Sequence, residues 1–550
     1  MGVVESVSHQ RLGCRASRRS VDGQLYSSAS EALTSLCFPE CDQPGLILNF
    51  PSATEIPTQN PRLLVSFPPA SAVAATPLVF SSLSLGGGGG AMANQNPSAF
   101  VHVDARAAAG AMSRGQDPHA LDRGTSAVLY YLYTSLPDLP VSADARLSAL
   151  QASPSAEGTD RISALPPTVL REIVSRLPIK DAARTSVVSK RWLPVWLSAP
   201  LAIDDTTLRP RALVGRAPVR ADSPVLVAAV TRILAAHPGP FRAVYLVRSY
   251  MDGHQQQLAH WLRLLAAKGV DELVLVNRPW PIDMPLPATI LNITTFTRLF
   301  IGVWKFPDTA GLPRGGCGGG AALFPHLREL IVCCVSMENR DMDFLLAGSP
   351  VLETLGIQGY KKVALCLRLV GQRLQCVQIC LSVVETITVV DAPLLERLIL
   401  WEPLDDSCVR LKIDRAPKLR LLGYLEPGTY TLEMRNNTRK LVSPSTMAPS
   451  VKVLALTVRF GLNLKFWQEN GPIESMQSHI KLMSFREFRG DRSELDFLKF
   501  FMKNARVLEK VEIMSASGCF TSVHELQSKH STWDLGVLAS QSGQAIHERV

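Results

Sequence analysis

The spacing of apolar residues changes several times along the chain, and each change marks a different kind of element. Residues 1 to about 118 show no sustained helical or strand period, are rich in Ser, Ala, Pro and Gly, and contain the run Gly86 to Gly90. Such a composition predicts a low-complexity, disordered region, residues 1–118, that cannot support a core of its own. In residues 119–155, Ala127, Leu129, Tyr130 and Leu132 fit a short amphipathic helix that Pro137 ends, followed by a linker. Between residues 156 and 202 the apolar positions fall at helical spacing and are broken by prolines. Val169, Leu170, Ile173, Val174 and Leu177 recur on a helix that Thr168 can cap and Pro178 stops. A second helix is expected from about Asp181 to Val188. A third, capped by Ser189, holds Trp192 and Trp196.

From residue 203 to 478 the texture turns to short strand-like runs: FRAVYLV, DELVLV, FTRLFI, FPHLRELIV, SPVLETLGI, GQRLQCVQI, APLLERLIL and APKLRLLGY. The aligned leucines Leu327, Leu352, Leu374, Leu395 and Leu419 stand 25, 22, 21 and 24 residues apart. That period belongs to leucine-rich repeats, in which alternate side chains of each short strand point inward and the next turn buries them by stacking. The reading is an irregular parallel solenoid with strands on one face and loops or short helices on the other. βαβ units about an ordinary open sheet fit the same texture. Residues 479–515 then predict a helix through Leu495, Phe497, Leu498, Phe501 and Met502 between strands near Leu482 and Val511, and residues 516–550 a polar tail that frays.

Two residue patterns carry a resemblance. Asp160 to Ser163, Leu165-Pro166, Leu177-Pro178 and Ser189 to Trp192 occur in that order, and the segment resembles the plant form of the F-box; Pro167 stands where that family usually has an acidic or polar residue. The Asp/Ser-Ala/Ser-Pro or Ala-Pro steps before the repeat strands resemble those of plant F-box proteins with irregular leucine-rich repeats, and the helix-bearing segment that follows resembles their FBD region, with capping of the last repeat as a competing role. The fold implied is α/β: a three-helix F-box followed by a leucine-rich-repeat solenoid. The function implied is substrate recognition within a Skp-cullin-F-box ubiquitin ligase. The Skp adaptor would be bound through Leu165, Pro166, Leu170, Ile173, Leu177, Val188 and Trp192, which contribute to core and interface, and cullin would be reached through the adaptor. The repeats would hold a substrate protein whose identity the sequence does not give. Val169, Val174 and Trp196 are assigned to the helical core. Two other roles fit the same repeats: a non-degradative scaffold, and a small-molecule receptor of the hormone type.

Composition narrows the rest. No apolar run reaches the roughly 18 residues of a membrane span, and the first twenty residues lack the apolar core of a secretory signal. Gly2 with Ser6 fits a short acylation pattern, and Arg11, Arg15, Arg18 and Arg19 a transit-peptide texture. Eleven cysteines at irregular spacing, with Cys333, Cys376 and Cys380 inside apolar runs, fit a reducing compartment, the nucleus or cytoplasm. The net charge of +9 is concentrated after residue 155, since residues 1–155 hold nine Arg against eleven acids. It forms no long basic block, which argues against nucleic acid as a partner. Phosphate-loop, HExxH, GxSxG and EF-hand patterns are missing. No catalytic, metal or cofactor residue is assigned, and the protein is read as a non-enzyme.

Overall fold

The computed structural model describes residues 162–208, 220–278, 284–312, 322–359, 364–380, 382–401, 409–425 and 492–515 almost continuously. It also describes strands at 62–66, 430–434, 440–441, 453–457, 482–488 and 545–549, and part of 103–141. The chain divides into two compact units, residues 90–352 and residues 353–550 with 1–89. The earliest strand, β1 (Arg62–Ser66), belongs to the latter.

The 90–352 unit opens with α1 (Ala105–Ser113), then three short helices, α2 (Pro167–Ser175), α3 (Ile179–Thr185) and α4 (Trp192–Ser198). A parallel sheet follows in chain order: β2 (Leu201–Asp204), then α5 (Ser223–Ala236), β3 (Phe241–Leu246), α6 (Gln255–Lys268), β4 (Val270–Val276), β5 (Arg298–Gly302) and β6 (Glu329–Cys333), and then α7 (Asn339–Ala347). Parallel crossovers of one hand place the connecting helices on one side of such a sheet. The helices earn their place by burying a stripe: Leu258, Trp261, Leu262 and Leu265 of α6 fall at i, i+3, i+4 and i+7 and are all buried. Through the middle of β3–β5 both faces are buried, as is usual for parallel strands. Val244, Leu273, Leu299 and Leu330 are in register on the inner face, each at most 1% exposed. Tyr245, Val274 and Phe300 form the neighbouring row on the front face and are also buried. At the start of the strands, the Arg298 guanidinium bridges Glu272 (2.9 Å) and Glu329 (2.7 Å) across three strands.

The second unit is built differently. Its strands are β7 (Thr354–Gln358), β8 (Leu365–Val370), β9 (Cys376–Cys380), β10 (Val384–Asp391), β11 (Arg397–Trp401), β12 (Val409–Ile413), β13 (Leu421–Leu425), β14 (Tyr430–Met434), β15 (Lys440–Leu441), β16 (Val453–Thr457) and β17 (Leu482–Phe488). After these come α8 (Arg492–Asn504), β18 (Lys510–Ser515) and β19 (Ala545–Arg549). From β7 to β14 successive strands alternate between two sheets. One runs β7-β9-β11-β13-β16-β1-β17-β18-β19; the other runs β8-β10-β12-β14-β15, with only β15 antiparallel. From residue 364 to 434, then, the second side of each repeat is a strand where loops or short helices were expected. The reason is visible in β8, where Leu365, Leu367 and Leu369 are buried while Cys366, Arg368 and Val370 are exposed, a period of two that no helix accommodates.

One local device recurs through both units. In Phe324–Leu327, Ser349–Leu352, Ala392–Leu395 and Ala416–Leu419, a proline at the second position sets φ for a tight turn, and the leucine N–H closes it onto the first residue's carbonyl. The leucine is thereby turned inward, at 0%, 5%, 0% and 0% exposure respectively. Just past that turn, one carbonyl accepts two successive N–H groups from the next repeat: Thr297 from Arg328 and Glu329, Glu353 from Gln375 and Cys376, Gln375 from Glu396 and Arg397, and Glu396 from Arg420 and Leu421. This stagger steps each strand onto its neighbour. All five aligned leucines are buried.

At the termini the described residues include a few short elements. Residues 1–118 include a strand: β1 pairs in parallel with both β16 and β17. They also include the helix α1. The tail after residue 515 includes β19, paired with β18. The helix α8 forms where expected, with Leu498, Phe501 and Met502 buried. Leu129 and Leu132 are helical and buried. The glycine runs at Gly86 and Gly318 lie outside the described residues.

Candidate functional site

The three-helix segment shows how its sequence distributes burial. Pro166 and Pro167 start α2, since a proline in the first turn forfeits no helical hydrogen bond and its φ is already set. Pro166 occupies the N-cap with φ −57° and no side-chain cap, so Thr168 does not serve there. Pro178 stops α2 and caps α3, which spans Ile179–Thr185 and ends before Val188. Arg191 rather than Ser189 precedes α4 at the cap, and the Arg191 guanidinium donates to the Leu165 carbonyl at 2.9 Å, tying the start of α4 to the start of α2.

Two helical stripes one residue apart run along α2. Leu170 and Val174 are fully buried, while Val169 and Ile173 are 41% and 36% exposed. Val169 is therefore not core, contrary to its assignment from spacing. The turn after α3 leaves Val187 and Val188 at 83% and 69%, and α4 leaves Leu193 and Leu197 at 45% and 37%. α2, α4 and the turn after α3 thus each present an uncovered apolar pair, and together with Ile162 they are a large apolar surface for so small a unit. Of the residues implicated by resemblance, Pro166, Ile173 and Val188 are exposed, Leu165, Leu177 and Trp192 are half-buried, and Leu170 belongs wholly to the core. Asp160, Arg161 and Ser163 lie outside the described residues.

The segment is also fixed to the first repeat. Lys180 Nζ donates to the Thr207 carbonyl at 2.7 Å. The Trp196 and His237 rings meet edge to face, with centroids 5.0 Å apart, and His237 also contacts Phe241. His237 Nδ1 accepts the Gly239 N–H at 3.0 Å, which leaves Nε2 to donate to the Trp196 carbonyl at 2.9 Å. That arrangement holds a neutral imidazole. Burial pushes its pKa below the ordinary value of 6.5, with the Lys268 ammonium adding to the effect and the Trp196 hydrogen bond opposing it. The sequence offered no signal for His237, whose partner lies 41 residues away.

Because the folded pKa is lowered, the unfolded chain takes up the proton first, so this histidine's contribution is present above pH 6.5 and is lost as pH falls through the folded value. Asp204 and Asp205 carry the opposite sign, their pKa values raised by burial, that of Asp205 to about 7. The clean measurement is therefore a difference between proteins that share both. The melting temperature of the parent relative to His237→Gln should fall between pH 7.5 and pH 5. A constant difference would show that His237 does not titrate with folding.

Comparison with known proteins adds three matches. Residues 162–203 match the F-box domain family, residues 258–467 the family described as "FBD-associated F-box protein At5g56370, LRR repeats", and residues 468–513 the FBD family. Among curated Arabidopsis thaliana proteins, the chain is 28% identical over 210 residues to F-box/FBD/LRR-repeat protein At1g13570, covering 38% of this chain and 46% of that protein. It is 32% identical over 203 residues to F-box/LRR-repeat protein At3g59200, covering 36% of each. Over 265 residues it is 26% identical to F-box/LRR-repeat protein At3g26922, covering 48% of this chain and 74% of that protein. The chain thus spans less than half the length of the first two relatives. Among the described residues no helix is long and apolar enough to cross a membrane.

Proposed function

We propose, from a chain that carries an F-box, leucine-rich repeats of the FBD-associated type and an FBD, that the protein is the substrate-recognition subunit of a Skp-cullin-F-box ubiquitin ligase acting in the nucleus or cytoplasm. The observation that carries this reading is the set of exposed apolar pairs on α2, α4 and the turn after α3, on a segment already fixed to the first repeat through Lys180 and Trp196. A Skp adaptor is the partner that would cover them, with cullin beyond it, while the repeats receive a target protein. On this reading the chain does no chemistry. Holding a target lysine beside a ubiquitin-charged enzyme raises its effective concentration, and the enzyme breaks and makes the bonds.

Co-expression of the full chain with a Skp adaptor should give a complex that survives gel filtration. Replacing Val187 and Val188 together by Asp should weaken capture at least about tenfold, since two charges would be desolvated at the interface, and both side chains are exposed in the free chain, so folding should be unaffected. Thr185→Ala should have no effect, because the Thr185 hydroxyl is engaged with the Ala182 carbonyl. No complex with the parent chain, or equal capture by the Asp pair, would overturn the assignment.

A further inference from the structure

The front face of β3, β4 and β5 would ordinarily be the open side of the repeats, opposite the connecting helices. Here its residues are core. Tyr245, Val274 and Phe300 are 3%, 0% and 0% exposed, and Val276 at the strand end is 1% exposed. A clue to what covers them comes from Gly302, in register with Val276 on this face. A Cβ built on Gly302 would lie 3.2 Å from Val276 Cγ2, 3.5 Å from Leu132 Cδ2 and 3.5 Å from Phe300 Cε1. Leu132, which precedes the F-box, therefore sits on the front face, and a glycine on β5 makes room for it.

Leu132 does not arrive alone. Pro118, Leu121, Thr125, Leu129 and Leu132 are all helical and all buried. Their spacings of 3, 4, 4 and 3 residues are those of one helical stripe. Asp117 starts the helical turn at Pro118 by accepting the His119 and Ala120 N–H groups at 3.0 and 3.1 Å. Asp122 accepts the Val103 N–H at 3.0 Å, which fastens the chain before α1 to it, and Ala108 and Ala111 of α1 are buried as well. On the outward side of α1, Met112 is 61% exposed.

We infer that the buried stripe Pro118, Leu121, Thr125, Leu129 and Leu132 is the resident occupant of the front face of β3–β5, a third layer that closes this face to target proteins and to small molecules. The sheet of the 90–352 unit is then sandwiched between its connecting helices and the segment that leads into the F-box. Target selection falls to surfaces this segment leaves uncovered. The inference is independent of adaptor binding, since it concerns only what lies against the strands.

Hydrogen exchange on the full chain tests it. Amides of residues 118–132 should exchange at least about a hundredfold more slowly than an open chain. Leu132→Asp places a charge against Val276 and Phe300. It should raise exchange across 118–132 at least tenfold and produce several-fold more binding of the apolar dye anilinonaphthalene sulfonate, whether or not the strands loosen with it. Met112→Asp, on the exposed side of the same segment, should do neither. Open-chain exchange of 118–132 in the parent overturns the inference. So does unchanged protection in Leu132→Asp, or an equal effect of Met112→Asp.

Discussion

Leu395→Ala is expected to lower the stability of the unit that contains residues 353–550 by about 2 to 5 kcal/mol, the range for a buried leucine whose cavity cannot collapse. Leu395 is fully buried, and the turn that begins at Ala392 and Pro393 places it there before β11 starts. Leu398, three residues on, is equally buried, so two consecutive inward positions define the register of that strand. Glu396 is half-exposed, and what it gives the fold is its backbone, whose carbonyl receives Arg420 and Leu421. Glu396→Ala keeps that carbonyl and should change stability by less than about 0.5 kcal/mol. Each repeat leans on its neighbours, so the loss at Leu395 should spread along the repeats of its own unit. Thermal unfolding followed by calorimetry checks the pair. A parent-like Leu395→Ala beside a collapsed Glu396→Ala would mean that the strand is displaced by one residue, which would turn every inward side chain outward.

The same leucines show how much was legible beforehand. All eight strands expected in the repeats form, because each combines an apolar run with a turn that the chain spells locally, four times with proline. The three F-box helices and α8 form for the same reason: their stop signals lie within a few residues of their apolar stripes. The two-sheet construction after residue 364 was also written locally. VRLKI in β12 has Val409, Leu411 and Ile413 buried while Arg410 and Lys412 are exposed, yet a repeat with a helical or looped second side was expected there. Other features could not be read from a local window. Val169 and Leu170 begin two equivalent i, i+4 pairs on α2, and only what packs beside the helix decides which pair is core. β1 is five unremarkable residues whose partners, β16 and β17, lie some hundreds of residues away, so nothing near it in the chain announces the pairing. His237 became part of the F-box junction through a ring contact and two hydrogen bonds that sequence spacing does not encode.

Trp261→Ala should produce a loss in the other unit, about 3 to 5 kcal/mol, and with it a functional consequence that Leu395→Ala lacks. Trp261 is 1% exposed on α6, and its indole N–H donates to Thr231 Oγ1 on α5 at 2.9 Å. Thr231 in turn donates to the Val227 carbonyl, so the indole closes a short chain of hydrogen bonds between the two helices. Truncation removes both the largest buried side chain of that layer and the link. Trp261→Phe keeps most of the volume and should cost distinctly less. The last turn of α5 leads directly to His237, whose N–H is held by the Ile233 carbonyl and whose ring supports Trp196 of the F-box. Loosening α5 therefore loosens the platform on which α2, α3 and α4 stand. With two compact units in the chain, unfolding should resolve into two transitions. Trp261→Ala should lower the one that carries the F-box, and Leu395→Ala the other. Near its lowered midpoint Trp261→Ala should lose Skp adaptor capture, whereas Leu395→Ala at the same temperature should retain it. A single transition shifted equally by both substitutions would show instead that the repeats melt as one cooperative body and that the F-box has no privileged dependence on α5 and α6.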